Sequence, residues 1–428
     1  MQSRKRKISS IIAFLIQILL ALLLQENRLT LLHPVSCFAL MSSQPLLIRG
    51  GLIVRPSGTD KADILCRDGF IAEIGQNVSK PAGTLEVDAS GMLIFPGFID
   101  SHCHGAAGCD TCDGSVGAIR TIANRKSAEG VTTWLPTTMT LPPEALRAAA
   151  SAVAEYSRQP TGARTPGLHI EGPFLNRDFI GAQNPEYLRL PDWAEIAALR
   201  ELHPILQISL APELPGALSL IRRCLAEGIR TSAAHSGATR EDFLSARKEG
   251  LGLMTHFCNQ MSPLHHREIG LVGCGLLDRD FPVELICDGL HVCPDMLDLI
   301  FRTKSPSSIL LVSDSMAASW MPDGPCSLGG REVMVKNGVA RVAATGALAG
   351  TTLRMNEAVA RAAALTGHHL PALARYSSAN HASVLGFSGK GDLVEGYDAD
   401  LVLLEENFSV RMTVAGGAVV YDPALPLL

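Results

Sequence analysis

Between about residues 96 and 384, short apolar runs alternate with amphipathic stretches, and no other feature of the chain restricts its fold as strongly. Strand-like and helix-like segments in regular succession build βαβ units, in which parallel strands are covered by the helices that connect them. Eight strands are expected, at residues 98–100, 132–135, 167–170, 206–210, 230–234, 253–255, 283–286 and 309–312, with helices such as 143–156 and 239–249 between them. Eight such units close into a (β/α)8 TIM-like barrel, an α/β fold.

The flanks read differently. Residues 46–54, 63–67, 70–74 and 85–87 are short β-rich runs separated by Gly, Pro and Asp, and residues 400–404, 410–414 and 418–421 resume that pattern. Both ends are therefore expected to join in one small β-sandwich domain, residues 46–95 plus 385–428, bracketing a barrel of residues 96–384.

Residues 1–40 stand apart. A basic cluster from Arg4 to Lys7 precedes an apolar run at 8–24, the pattern of an export signal or anchor. The run is short for a membrane-spanning helix, and Gln25, Glu26, Asn27 and Arg28 offer no small residues for cleavage. Met41 opens a natural domain start. Translation from Met41 and a cytoplasmic location are expected, the alternative being export or tethering through the N-terminal segment, with membrane contact only if residues 8–24 are a genuine anchor.

Composition narrows the function classes. With 47% hydrophobic residues the chain can bury a large core, and a net charge of -5 without a basic stripe argues against a nucleic-acid partner. The eleven cysteines are too sparse for a disulfide framework and read as reduced thiols. Cys109 and Cys112 form a CxxC near Cys103, yet no second pair completes a structural zinc site.

Barrel enzymes build their active sites on the loops that follow the C-terminal ends of the strands. That rule selects His102, His104, Glu171, His235, His256, Asp288, His291 and Asp314. His102 and His104 are two residues apart in extended backbone, so their side chains leave on the same face. Four imidazoles and a carboxylate suit Zn²⁺ or Fe²⁺, one or two ions per subunit. Glu171, His235 and His256 suffice for a single ion, while His102 and His104 are what a second would require, with Glu171 able to bridge. Such an ion acidifies water and polarises a carbonyl oxygen. Asp314 is placed to take the proton of that water and pass it to a leaving nitrogen, its alternative being a further ligand or a helix cap.

Five stretches, residues 96–105, 167–175, 255–268, 288–292 and 346–352, resemble the amidohydrolase superfamily and, within it, the N-acetylglucosamine-6-phosphate deacetylases. The His-Ile-Glu-Gly-Pro-Phe run at 169–174 and the His-His-Arg-Glu run at 265–268 are the most specific of these. The resemblance implies hydrolysis of the acetamide of N-acetylglucosamine 6-phosphate to glucosamine 6-phosphate and acetate. It further implies that Glu171 replaces the carboxylated lysine of other amidohydrolases. Asn259, Gln260, Arg267 and His291 would hold the sugar and phosphate, with Arg267 reaching in from the other subunit of a homodimer. A guanidinium fork suits that task, because it matches phosphate oxygens two at a time.

Ala182, Gln183, Ala347, Leu348 and Ala349 would line the sugar pocket by the same resemblance. His265 and His266 are adjacent and point to opposite sides in extended backbone, so neither is assigned a role. Two departures bear on the chemistry: Gln183 stands where the family usually has a histidine that polarises the scissile carbonyl, and Gln260 replaces a small residue. Two other readings remain open, a deacylase of a related N-acyl amino sugar or amino acid and a non-catalytic sugar-phosphate-binding protein.

Overall fold

The computed structural model describes residues 44–367 and 369–424; the signal-like segment and the start at Met41 lie outside the described residues. Among the described residues no helix is long and apolar enough to cross a membrane.

All eight expected barrel strands form. They are β1 (Phe98–Cys103), β2 (Val131–Thr138), β3 (Leu168–Glu171), β4 (Ile205–Leu210), β5 (Arg230–Ala233), β6 (Leu253–Met254), β7 (Val283–Ile286) and β8 (Ile309–Val312). Each pairs in parallel with the next, in chain order. The seam between β8 and β1 closes just beyond the strands, where Asp314 donates its backbone N–H to His102 O at 2.9 Å and Cys103 bridges to Ser315. β2 is buried along its whole length and runs continuously apolar or β-branched, as a strand covered on both faces must.

The outer helices follow from spacing and capping. In the helix Pro143–Arg158, Leu146, Ala149, Ala150, Val153 and Tyr156 recur on one face and are buried, and Pro143 sits in the first turn where no N–H is required. The helix Arg240–Glu249 begins with a reciprocal capping box between Thr239 and Asp242 and ends on Gly250 in the left-handed conformation.

The chain ends meet in one sheet. Its order is Ala418–Tyr421, Val410–Ala415, Leu401–Leu404, Leu93–Pro96, Leu46–Arg55, Gly58–Arg67 and Phe70–Gly75, with Leu85–Asp88 also paired to Leu46–Arg55. A register shift between Ile48 and Gly51 divides Leu46–Arg55, so that its first half borders Leu85–Asp88 and its second half Leu93–Pro96. The sheet packs against a core that includes Leu46, Ile53, Ile64, Ile94, Leu401 and Val414. Gly51 is required at the bend, since a Cβ there would lie 2.5 Å from Ile94 Cδ1.

A three-stranded antiparallel sheet, Gly324–Leu328, Arg331–Lys336 and Val339–Val342, follows β8 and was not expected from the sequence. Its apolar face, Leu328, Val333, Val335, Ala340 and Val342, packs on Met139, Met316, Ala318 and Ala349 beside the mouth of the barrel.

Candidate metal centre and active site

The strand ends deliver the expected residues to one place. His102 lies within β1 and His104 just after it, Glu171 ends β3, and His235, His256 and Asp314 each lie two residues beyond β5, β6 and β8. His235, His256 and Asp314 take φ values of +45°, +32° and +48°. Side chains other than glycine rarely adopt this region, and strain of this kind gathers at sites that need a fixed geometry. All six residues are buried, none more than 7% exposed.

Their polar atoms converge. Glu171 Oε1 is 3.0 Å from His256 Nε2 and 3.2 Å from His235 Nε2, and those two nitrogens are 3.2 Å apart. On the other side His102 Nε2 and His104 Nε2 are 3.3 Å apart, and Asp314 Oδ1 is 3.4 Å from each. Glu171 Oε2 lies 3.3 Å from His104 Nε2, so its carboxylate stands between the two groups.

The outward ring nitrogens decide what this cluster can bind. His104 Nδ1 meets Thr137 O at 3.2 Å and His235 Nδ1 meets Phe179 O at 2.8 Å; carbonyl oxygens only accept, so both Nδ1 atoms carry hydrogen. His102 Nδ1 likewise faces Glu284 Oε2 at 2.9 Å. In these three rings, when neutral, the unprotonated Nε2 atoms then point inward, the tautomer in which histidine binds a metal. Nitrogen lone pairs and carboxylates packed this closely call for positive charge between them, and the donor set could hold a divalent ion of the zinc or iron type.

Electrostatics agree with that fit. Burial alone would depress the imidazoles, but Asp314, Glu284 and Glu171 outweigh it and hold His102 well above its ordinary value. His104 rises to about 9, burial being overcome by its hydrogen bonds to Asp314 and Glu171. Asp314 falls to about 2 despite burial, because His102, His104 and His256 surround it. The site thus attracts positive charge, for which protons and a metal compete.

Of the residues expected on the substrate side, Ala182, Gln183, Asn259, Gln260, His291 and Leu348 line the cavity above this cluster. His291 is held through Nδ1 by Asp288 Oδ2 at 2.7 Å. Gln260 lies over Gly181, its Cγ 3.0 Å from where a Cβ would sit. Ala347 and Ala349 stand back from the cavity: Ala347 accepts Val342 N–H, and Ala349 is fully buried under the three-stranded sheet. Arg267 lies outside the cavity of its own chain, in an exposed groove with His265, His266 and Glu268, and donates to His266 Nε2 at 2.7 Å.

Comparison with known proteins matches residues 93–420 to the amidohydrolase family. The chain belongs to the amidohydrolase family. It is 37% identical over 378 residues to N-acetylglucosamine-6-phosphate deacetylase of Lysinibacillus sphaericus, covering 87% of this chain and 97% of that protein. It is 36% identical over 364 residues to N-acetylgalactosamine-6-phosphate deacetylase of Escherichia coli O157:H7, covering 84% and 95%. The crystal structure of N-acetylglucosamine-6-phosphate deacetylase from Thermotoga maritima superposes with a TM-score of 0.80 at 35% identity, over 88% of this chain and 99% of that one.

Several residues that shape this amidohydrolase site escaped the sequence reading. Glu284, fully buried in β7, holds His102 and accepts Gln207 Nε2 at 2.6 Å. His169, inside β3, is bonded to Ser209 Oγ at 2.7 Å and stacks edge-on to His102. A charged or imidazole side chain embedded in an apolar strand was the available signal. Met139, Leu328 and Gly350 also line the cavity, the first two brought together by the three-stranded sheet. Among the described residues no candidate ligand cluster includes a cysteine.

Proposed function

We propose that this amidohydrolase removes the acetyl group of N-acetylglucosamine 6-phosphate, giving acetate and glucosamine 6-phosphate. The reading is carried by the convergence of four histidine Nε2 atoms, both oxygens of Glu171 and Asp314 at the mouth of the barrel, in a chain so similar to deacetylases over their full length. Glu171, His235 and His256 would hold one Zn²⁺ or Fe²⁺, and His102 and His104 a second. When bound, such an ion polarises the acetamide carbonyl and acidifies the attacking water.

Asp314, held ionised by the histidines around it, accepts a proton from the water and returns it to the nitrogen as the C–N bond breaks. Asn259, Gln260 and His291 hold the sugar and its phosphate. Arg267 serves the neighbouring subunit of a homodimer, which accounts for its position outside its own cavity. A phosphorylated substrate is retained inside cells, so we place the enzyme in the cytoplasm. We divide it into a small β-domain of residues 46–95 and 385–428 around a barrel of residues 96–384.

The C4 epimer, N-acetylgalactosamine 6-phosphate, is the second reading, because the relative named for it is nearly as similar as the one named for the glucosamine sugar. Acetate release should be measured from both phosphorylated sugars, their unphosphorylated forms and N-acetyl amino acids, with the metal content of the purified protein determined alongside. The highest kcat/KM is expected on N-acetylglucosamine 6-phosphate. Preference for an amino-acid substrate would replace the reading, and bound metal without hydrolysis would leave a sugar-phosphate-binding protein.

A further inference from the structure

We infer that Gln183 is a positioning residue for Glu171, and that it sets how tightly the Glu171–His235–His256 site holds its metal. The inference rests on the metal-dependent reading above. Gln183 is 2% exposed and fixed at both ends of its amide. Its Oε1 accepts Thr140 N–H at 2.7 Å; since a backbone N–H can only donate, the amide orientation is settled, and the atom 2.6 Å from Glu171 Oε2 is the NH₂ group, which donates.

The backbone of Gln183 is held as well. Its N–H donates to Ile180 O at 3.0 Å, and its carbonyl accepts Arg331 Nη1 at 2.8 Å from the three-stranded sheet. Four hydrogen bonds thus hold Gln183 against Glu171 Oε2, which leaves Oε1 turned toward His235 and His256. A carboxylate free to rotate about its terminal bond would lose that alignment. A neutral amide also holds the carboxylate without adding a positive charge that would compete with the metal. The cost of losing such an outer partner is about 10–100-fold in metal affinity.

The test is Zn²⁺ affinity, measured by competition with a chromophoric chelator, for wild type, Gln183→Met, which keeps the volume without the hydrogen bonds, and Arg331→Ala. Steady-state kinetics at saturating metal and the visible spectrum of the Co²⁺-substituted proteins complete it. Gln183→Met should lose about 10–100-fold in affinity and shift the Co²⁺ bands through altered Glu171 ligation, whatever its effect on turnover. Arg331→Ala should weaken affinity in the same direction by less, and decides the matter if Gln183→Met does not fold. Unchanged metal affinity with kcat reduced by two orders of magnitude or more would overturn the inference and make Gln183 a donor to the substrate. Wild-type protein that takes up no metal would overturn the metal site and this inference together.

Discussion

In the proposed reaction Asp314 would serve as the acid–base group, since the histidines around it hold its carboxylate charged despite burial. Replacing it by asparagine preserves shape and removes that exchange. Asp314→Asn should lower kcat by about 10²–10⁴-fold while metal remains at Glu171, His235 and His256, as measured by kinetics and elemental analysis. His381 makes a different prediction. It is fully buried, its Nε2 donates to Leu311 O at 3.0 Å, and burial pulls its pKa down to about 4 against the opposing charges of Asp100 and Glu284. Between about pH 6.5 and 4 the unfolded chain therefore binds the extra proton and the folded one does not, so stability falls as pH falls through that window. The loss amounts to about 3 kcal/mol. Denaturant midpoints of chelator-treated protein between pH 7 and 4 should decline less steeply in His381→Gln. The candidate ligands were legible because each lies at or just beyond the end of a recognisable strand. Glu284 and His169 were not, since a polar residue inside a strand gains meaning only once the barrel interior is known to be polar at that height.

At the scale of elements, the barrel is locked where β8 returns to β1. Lys126, at the end of the helix Val116–Ser127 and without solvent exposure, lies 2.9 Å from Asp100 Oδ2, 2.5 Å from Glu129 Oε2 and 3.2 Å from Ser313 Oγ. Glu129 also accepts Trp320 Nε1 and Met355 N–H, tying in the loop after Asp314. Lys126→Met would leave two carboxylates buried without their cation and should destabilise the fold by about 3–5 kcal/mol, read from urea denaturation. Strands β1 to β8 were visible because short runs rich in apolar and β-branched residues alternate in regular succession with amphipathic helical stretches. The three-stranded sheet was hidden, since between residues 324 and 342 glycines and charges interrupt every run and just one face is covered. Leu93–Pro96 was missed because it passes into β1 across a single glycine, and at Gly97 a Cβ would fall 2.3 Å from Thr132.

Across the whole molecule, the candidate ligands come from β1, β3, β5, β6 and β8, so a bound ion braces strands from all around the barrel. Binding to the folded state alone stabilises it by about 4 kcal/mol when metal stands at a thousand times its Kd. Chelation should lower the melting temperature, and added Zn²⁺ should restore it in a concentration-dependent way. Association carries its own test. If Arg267 completes a neighbour's site, heterodimers of an Arg267→Ala subunit with an Asp314→Asn subunit contain one site with both residues intact. Co-expressed, differently tagged subunits purified through both tags should regain turnover with a KM near wild type, which neither homodimer shows. Such a partnership is implied by resemblance alone; the single chain shows that Arg267 lies outside its own cavity.

The sheet built from both chain ends also bears on how the protein is made. Leu93–Pro96 takes Leu401–Leu404 as its antiparallel neighbour, so a nascent chain still missing its last strands presents an open apolar edge beside a barrel that has already emerged from the ribosome. Pairings this distant in sequence form late, and exposed edges in the interval invite aggregation. Synthesis should therefore depend on chaperones until the final strands arrive, and stop codons shortly before residue 401 should yield insoluble product even though every candidate metal ligand has been translated.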